Sequence, residues 1–120
     1  MTVRRIVANI PATDPDRARA FYEELLDLKV VMDQGWILTF ASEASAAPQL
    51  SVASEGGSGT RVPHLSIEVD DVDEIYKRAK SAALEIAYDI VDEPWGVRRF
   101  YVRDPFGRIL NILSHLESGP

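Results

Sequence analysis

The stretch Ile6-Val7-Ala8-Asn9-Ile10-Pro11-Ala12-Thr13-Asp14 runs on into Pro15-Asp16-Arg17-Ala18-Arg19-Ala20-Phe21-Tyr22, and it returns 57 residues later. The second copy is Pro63-His64-Leu65-Ser66-Ile67-Glu68-Val69-Asp70-Asp71, leading into Val72-Asp73-Glu74-Ile75-Tyr76-Lys77-Arg78-Ala79. Asp14 corresponds to Asp71, and Val7 to His64. Self-similarity at a fixed spacing marks a repeated supersecondary unit. Each copy reads as a strand, an acidic cap and an amphipathic helix.

The strands show period two. Ile6, Ala8 and Ile10 share one face, as do Leu65, Ile67 and Val69, and these faces are expected to pack on the helices. The opposite faces carry Val7 and Asn9 in the first copy and His64, Ser66 and Glu68 in the second. The first helix is expected to begin at Asp14 as N-cap, with Pro15 at its first position, where a missing N–H costs nothing. Ala18, Phe21, Tyr22 and Leu25 then recur at helical spacing. The second helix begins at Asp71, with Glu74 completing a capping box and Val72, Ile75, Tyr76 and Ala79 forming the apolar stripe.

Three short strands are expected after each helix. They lie near Val30–Met32, Gly35–Ala41 and Gln49–Ala53, then near Glu85–Tyr88, Val97–Arg103 and Ile109–Ser114. Ser54-Glu55-Gly56-Gly57-Ser58-Gly59 reads as a flexible linker, and Ser42–Pro48 as a mobile loop. Asp104-Pro105-Phe106-Gly107 reads as a turn, with Pro at its second position and Gly at its fourth. One domain is therefore expected over residues 1–120, with module one at about 1–54 and module two at about 60–117.

A chain of 120 residues removes about two-thirds of its unfolded surface from water, enough for a core of its own. Hydrophobic content of 46% with 27% charge is globular composition. The absence of cysteine rules out disulfides, thiolate metal sites and a thiol nucleophile. Met1-Thr2-Val3-Arg4-Arg5 reads as the approach to a strand, not as a signal peptide or a membrane span, so a cytoplasmic location is expected. The net charge of −6 argues against a nucleic-acid partner and suits an uncharged or cationic ligand, although it also serves solubility.

These residues carry a resemblance. Asp14 with Phe21-Tyr22, the His64-to-Asp71 strand, and Asp104-Pro105-Phe106-Gly107 in a terminal hairpin together resemble the vicinal-oxygen-chelate superfamily over nearly the whole chain. That superfamily holds glyoxalase I, extradiol dioxygenases, fosfomycin-resistance proteins and bleomycin-binding proteins. Glu93-Pro94-Trp95-Gly96, followed by Phe100 and Asp104-Pro105, looks most like the bleomycin-resistance branch. The resemblance implies an α+β fold: two βαβββ modules forming a curved, eight-stranded incomplete barrel around a cup, with helices on the outside. It also implies a homodimer. Where the family usually ends each helix with glycine, this chain has Asp27 and Ala83, and the alanine should be strained there.

The superfamily's enzymes bind one divalent ion through positions that fall here on Val7, Gln49, His64 and Asn111. Val7 has no donor atom, Gln49 and Asn111 offer neutral amides, and His64 alone is a good ligand by type. Such a set supplies no negative charge, whereas hard ions prefer carboxylates and zinc takes three or four strong ligands. Glu68 shares a face with His64 but lies about 13 Å along the strand, beyond joint ligation. No metal and no cofactor is expected.

Two functional readings remain open for several residues. His64 is either a hydrogen-bonding wall residue or, with Glu68, a weak candidate for acid–base catalysis. Trp36 and Trp95 are either core lids or stacking surfaces for a planar ligand, and Tyr101 lines a face with Arg99 and Arg103. The expected ligand-binding set is Trp36, Gln49, His64, Ser66, Glu68, Trp95, Tyr101 and Asn111. The favoured expectation is a small-molecule-binding protein that sequesters a planar or cationic antibiotic or metabolite without transforming it. The alternative is a metal-dependent lyase or dioxygenase of the glyoxalase type.

Overall fold

The computed structural model describes residues 1–42 and 49–116, apart from the side chain of Leu25. The loop expected at Ser42–Pro48 lies, beyond Ser42, outside the described residues. The elements follow the order β1 (Val3–Pro11), a helical segment (Pro15–Arg17, then Ala20–Leu25), β2 (Lys29–Asp33), β3 (Ile37–Ala41) and β4 (Gln49–Ala53). Then come β5 (Leu65–Val69), α1 (Val72–Ser81), β6 (Ile86–Glu93), β7 (Val97–Arg103) and β8 (Ile109–His115). The βαβββ order thus occurs twice, and the fold is α+β. Among the described residues no helix is long and apolar enough to cross a membrane.

Backbone contacts divide the chain into two compact units, Val7–Val62 and Met1–Ile6 with Pro63–Pro120. In the unit Val7–Val62 the strand order is β2-β3-β4-β1. β1 runs parallel to β4, with Ala8 opposite Leu50 and Ile10 opposite Val52, and the other pairs are antiparallel. Leu38, Phe40 and Val52 form the core, with Ala18, Tyr22, Val30 and Leu50 packed against them.

The first helical segment departs from its sequence pattern. Asp14 is extended and Pro15 opens the segment, as expected, but Asp14 makes no side-chain capping bond. The first turn is a 3-10 turn and the next is wound out into a π-helix. This short, irregular segment clusters with side chains of β2, β3 and β4. The face of β1 expected beneath it is consequently bare: Ile6 is 57% and Ile10 40% exposed, and Ala8 is exposed, whereas Val7 is buried. Residues 54–59, expected to be a flexible linker, form a hydrogen-bonded loop with Thr60. In it Gly56 N–H donates to the Thr60 carbonyl at 2.8 Å and Gly59 N–H to the Glu55 carboxylate at 2.9 Å.

In the other unit β5 runs parallel to β8, which is antiparallel to β7, and β7 is antiparallel to β6. Asp71 caps α1 by accepting from Glu74 N–H at 3.2 Å, the bond its sequence position predicts. The helix closes in a Schellman arrangement, with Ala83 N–H donating to the Lys80 carbonyl and Leu84 N–H to the Ala79 carbonyl. That closure needs a left-handed residue, and Ala83 supplies it at φ 55°, as Asp27 does after the first segment. Val69, Val72, Ala79, Phe100, Val102 and Ile112 form the core beneath α1. At the β7–β8 turn Asp104 Oδ1 accepts from both Phe106 N–H and Arg108 N–H at 2.9 Å, and Gly107 takes φ 81°.

Candidate functional site

Strand alternation sends Ile67, Val69, Phe100, Val102 and Ile112 toward α1, so their neighbours in sequence point the other way. That opposite face of the β5-β8-β7-β6 sheet holds Ser66 and Glu68 from β5, Asn111 from β8, and Arg99 and Tyr101 from β7. Tyr88 and Glu93 join them from β6. Ser66 stands opposite Asn111, and Asn111 opposite Tyr101.

Arg99 is the hub. Its Nη2 lies 2.6 Å from Glu93 Oε2, its Nε donates to the same oxygen at 2.8 Å, and each side chain is 3% exposed. Arg99 Nη1 donates to Tyr101 Oη at 3.1 Å, while Tyr88 Oη donates to Glu93 at 3.2 Å. The guanidinium carbon sits 4.9, 5.0 and 5.3 Å from the ring centroids of Trp95, Tyr101 and Tyr88. Rings at such distances offer their negative faces to the cation. Charge is therefore balanced inside the cluster, and three aromatic rings are held in fixed orientations.

Beside the hub lies a second polar group. Asn111 is 7% exposed, and its Nδ2 donates to Ser66 Oγ at 3.1 Å. Its Oδ1 is also buried and accepts no hydrogen bond from the described residues. His64 is exposed just ahead of β5, where its N–H donates to the Ile109 carbonyl at 2.8 Å. Its Nδ1 accepts from Ile109 N–H at 3.3 Å, which places the proton of the neutral ring on Nε2. Glu68 is engaged by Arg5 at 3.0 Å, with His115 Nε2 at 3.7 Å. The two weak catalytic candidates, His64 and Glu68, are therefore committed to different partners along one strand.

Of the expected ligand-binding residues, the structure brings Ser66, Tyr101 and Asn111 onto one face with Glu68, and places Trp95 against Arg99. Trp36 and Gln49 belong to the other unit. Trp36 is half-buried in the β2–β3 turn, where its carbonyl accepts from Ser54 N–H at 2.9 Å, and Gln49 opens β4 opposite Ala41. Three members of the cluster, Tyr88, Glu93 and Arg99, are not singled out by sequence. Arg99 is visible there only as a face-mate of Tyr101. Tyr88 and Glu93 differ by an odd number of positions, so regular alternation would separate them, but the register irregularity in β6 between Tyr88 and Val91 brings them together.

The profile of the Glyoxalase/Bleomycin resistance protein/Dioxygenase superfamily matches residues 4–112, and the chain belongs to that superfamily. Solved structures agree at the level of fold. A superfamily member from Vibrio splendidus 12B01 is 16% identical, covering 96% of this chain and 100% of its own, at TM-score 0.65. A variant of the Streptomyces coelicolor methylmalonyl-CoA epimerase, in complex with 2-nitronate-propionyl-CoA, is 17% identical, covering 98% and 100%, at TM-score 0.71. The NAD-dependent benzaldehyde dehydrogenase from Legionella pneumophila is 20% identical, covering 92% and 99%, at TM-score 0.75. No curated protein sequence matches significantly.

The divalent ion of the superfamily's enzymes does not fit the donors present. Among the described residues no three His, Cys, Asp or Glu side chains group closely enough to hold an ion. Val7 is a buried hydrocarbon, and Asn111 turns its Nδ2 to Ser66. Glu68 and Glu93 already face arginines.

Proposed function

We propose that this chain is a metal-free small-molecule-binding protein of the bleomycin-resistance type, holding a planar antibiotic or metabolite without transforming it. One observation carries the reading: both carboxylates on the candidate face are neutralised by arginine, Glu68 by Arg5 and Glu93 by Arg99. Apart from the His64 imidazole ahead of β5, the other groups of that face are amide, hydroxyl and aromatic, a set that orients a small molecule without supplying a charged acid or base. The same neutralisation favours a planar ligand over a cationic one. Trp95 is half-buried with Arg99 against its ring, which makes it the aromatic side chain of this group that a ligand would reach first. The reading takes the protein as a cytoplasmic homodimer.

The test is a tryptophan-fluorescence titration with glycopeptide antibiotics and planar aromatic metabolites, followed by recovery of the ligand. Saturable quenching with the ligand recovered unchanged supports sequestration. Conversion of the ligand, or about one Zn, Ni, Mn or Fe per purified chain, would favour the metal-dependent lyase or dioxygenase instead.

A further inference from the structure

The Asn111 amide is half satisfied, and this asymmetry deepens the binding reading on which the following rests. We propose that Asn111 selects the ligand: its Oδ1 receives an N–H or O–H from a planar aromatic molecule, so the site prefers a ring bearing a donor over the same ring with that donor methylated.

The amide plane is fixed because Nδ2 donates to Ser66 Oγ at 3.1 Å, which gives Oδ1 one direction. A structural asparagine satisfies both ends of its amide within the protein; this one satisfies one, at 7% exposure. A buried acceptor without a partner destabilises the free protein, and the cost is recovered when a ligand donor arrives. The chemistry of that ligand follows from the neighbours. Tyr101, directly across the ladder and 2% exposed, has its oxygen held by Arg99, so its ring is a fixed, packed wall beside the acceptor. An anionic ligand would meet the negative end of the amide dipole, and Arg99 is already matched by Glu93. A neutral planar molecule with a donor on its edge fits both features.

The probes are indole and 1-methylindole, which differ only in the donor, titrated into the full-length protein and followed by NMR shifts. Indole should bind about ten- to a hundredfold more tightly, the range for pairing a buried acceptor that otherwise goes unmet. Asn111→Leu should bring the two affinities together. Asn111→Leu should also melt no lower than the parent, because it removes an unpaired buried acceptor. Equal affinities in the parent, a preference that survives Asn111→Leu, or a clear fall in the melting temperature of Asn111→Leu would each overturn the assignment. Failure of both compounds to bind would overturn the planar-ligand reading itself, and the role of Asn111 with it.

Discussion

Arg99 and Glu93 are joined at 2.6 Å, with each side chain 3% exposed, so water screens neither charge. Such a pair contributes little net stability compared with well-packed apolar residues, but breaking it strands an uncompensated charge. Arg99→Met should therefore cost about 3–5 kcal/mol of stability. The double variant Arg99→Met with Glu93→Leu should recover much of that loss, because neither charge remains. Urea denaturation of the parent and both variants checks this. A single variant within about 1 kcal/mol of the parent would mean the pair is reached by solvent.

A second pair, between α1 and β6, is sensitive to pH. Tyr76 Oη donates to Asp89 Oδ1 at 2.6 Å. That bond, aided by Ile90 N–H, holds Asp89 below its ordinary value of 3.8, and it raises Tyr76 above its ordinary 10.0. A depressed carboxylate contributes stability above pH 3.8, lost as pH falls through the lower folded value. A raised phenol contributes below pH 10.0, lost as pH climbs through the higher folded value. Tyr76→Phe should move the Asp89 titration back toward 3.8 and flatten both limbs. Carboxyl NMR titration tracks Asp89, and melting curves at acid, neutral and alkaline pH track the two limbs. An unmoved Asp89 titration would assign the depression to the Ile90 N–H instead.

What could be read from sequence follows from which residues obey a simple period. Strands β4 and β7 begin and end where alternation places them, at Gln49–Ala53 and Val97–Arg103, since both faces of each are well buried. The Asp71 cap and the Asp104 turn are equally legible because each is decided by one local hydrogen-bonding side chain. β1 is not: it carries apolar residues at both parities, and which face is covered depends on a helical segment that winds irregularly. The candidate site is half legible. Ser66, Tyr101 and Asn111 follow period two, whereas Glu93 reaches Tyr88 only through the β6 irregularity between Tyr88 and Val91, which no period announces.

Left-handed alanine gives a prediction about stability alone. Ala83 sits at φ 55° on the surface, where a β-carbon is disfavoured by about 1–2 kcal/mol and glycine is not. Glycine loses more backbone entropy on folding, which offsets part of the gain. Ala83→Gly should stabilise by roughly 0.5–1 kcal/mol, visible as a rise in melting temperature of a few degrees. A lower melting temperature would show that the Schellman closure holds alanine there without strain.

The bare face of β1 bears on assembly. Ile6 and Ile10 are 57% and 40% exposed, and Phe21 in the helical segment and Leu26 just after it are 56% and 52% exposed. Apolar side chains left in water favour association, and the proposed homodimer is one way to cover them. Light scattering at micromolar concentration should give twice 13.3 kDa, and Ile6→Lys should shift the mass toward one chain. A parent mass near 13.3 kDa would remove the dimer from the reading.

Trp95 connects the fold to ligand binding most directly. It sits in the turn between β6 and β7, after Pro94 and before Gly96, whose φ of 90° lets Gly96 N–H close on the Glu93 carbonyl at 3.1 Å. One side of the indole lies 4.9 Å from the Arg99 guanidinium, and the ring is only half-buried. Trp95→Ala takes one of three rings from a buried cation, a loss of roughly 0.5–2 kcal/mol. A tryptophan serving as a core lid would cost about 3–5 kcal/mol instead. If the ring also carries the planar ligand, the same variant should weaken binding about five- to a hundredfold, the range for removal of an aromatic stacking partner. Trp95→Phe should restore most of both quantities, since a smaller ring still covers the guanidinium and still stacks. Melting and titration of the two variants separate the roles. Lost affinity with a modest fall in melting temperature puts the ligand on Trp95. A large fall with affinity intact makes the residue a cover for Arg99, and the planar-ligand reading loses its stacking surface.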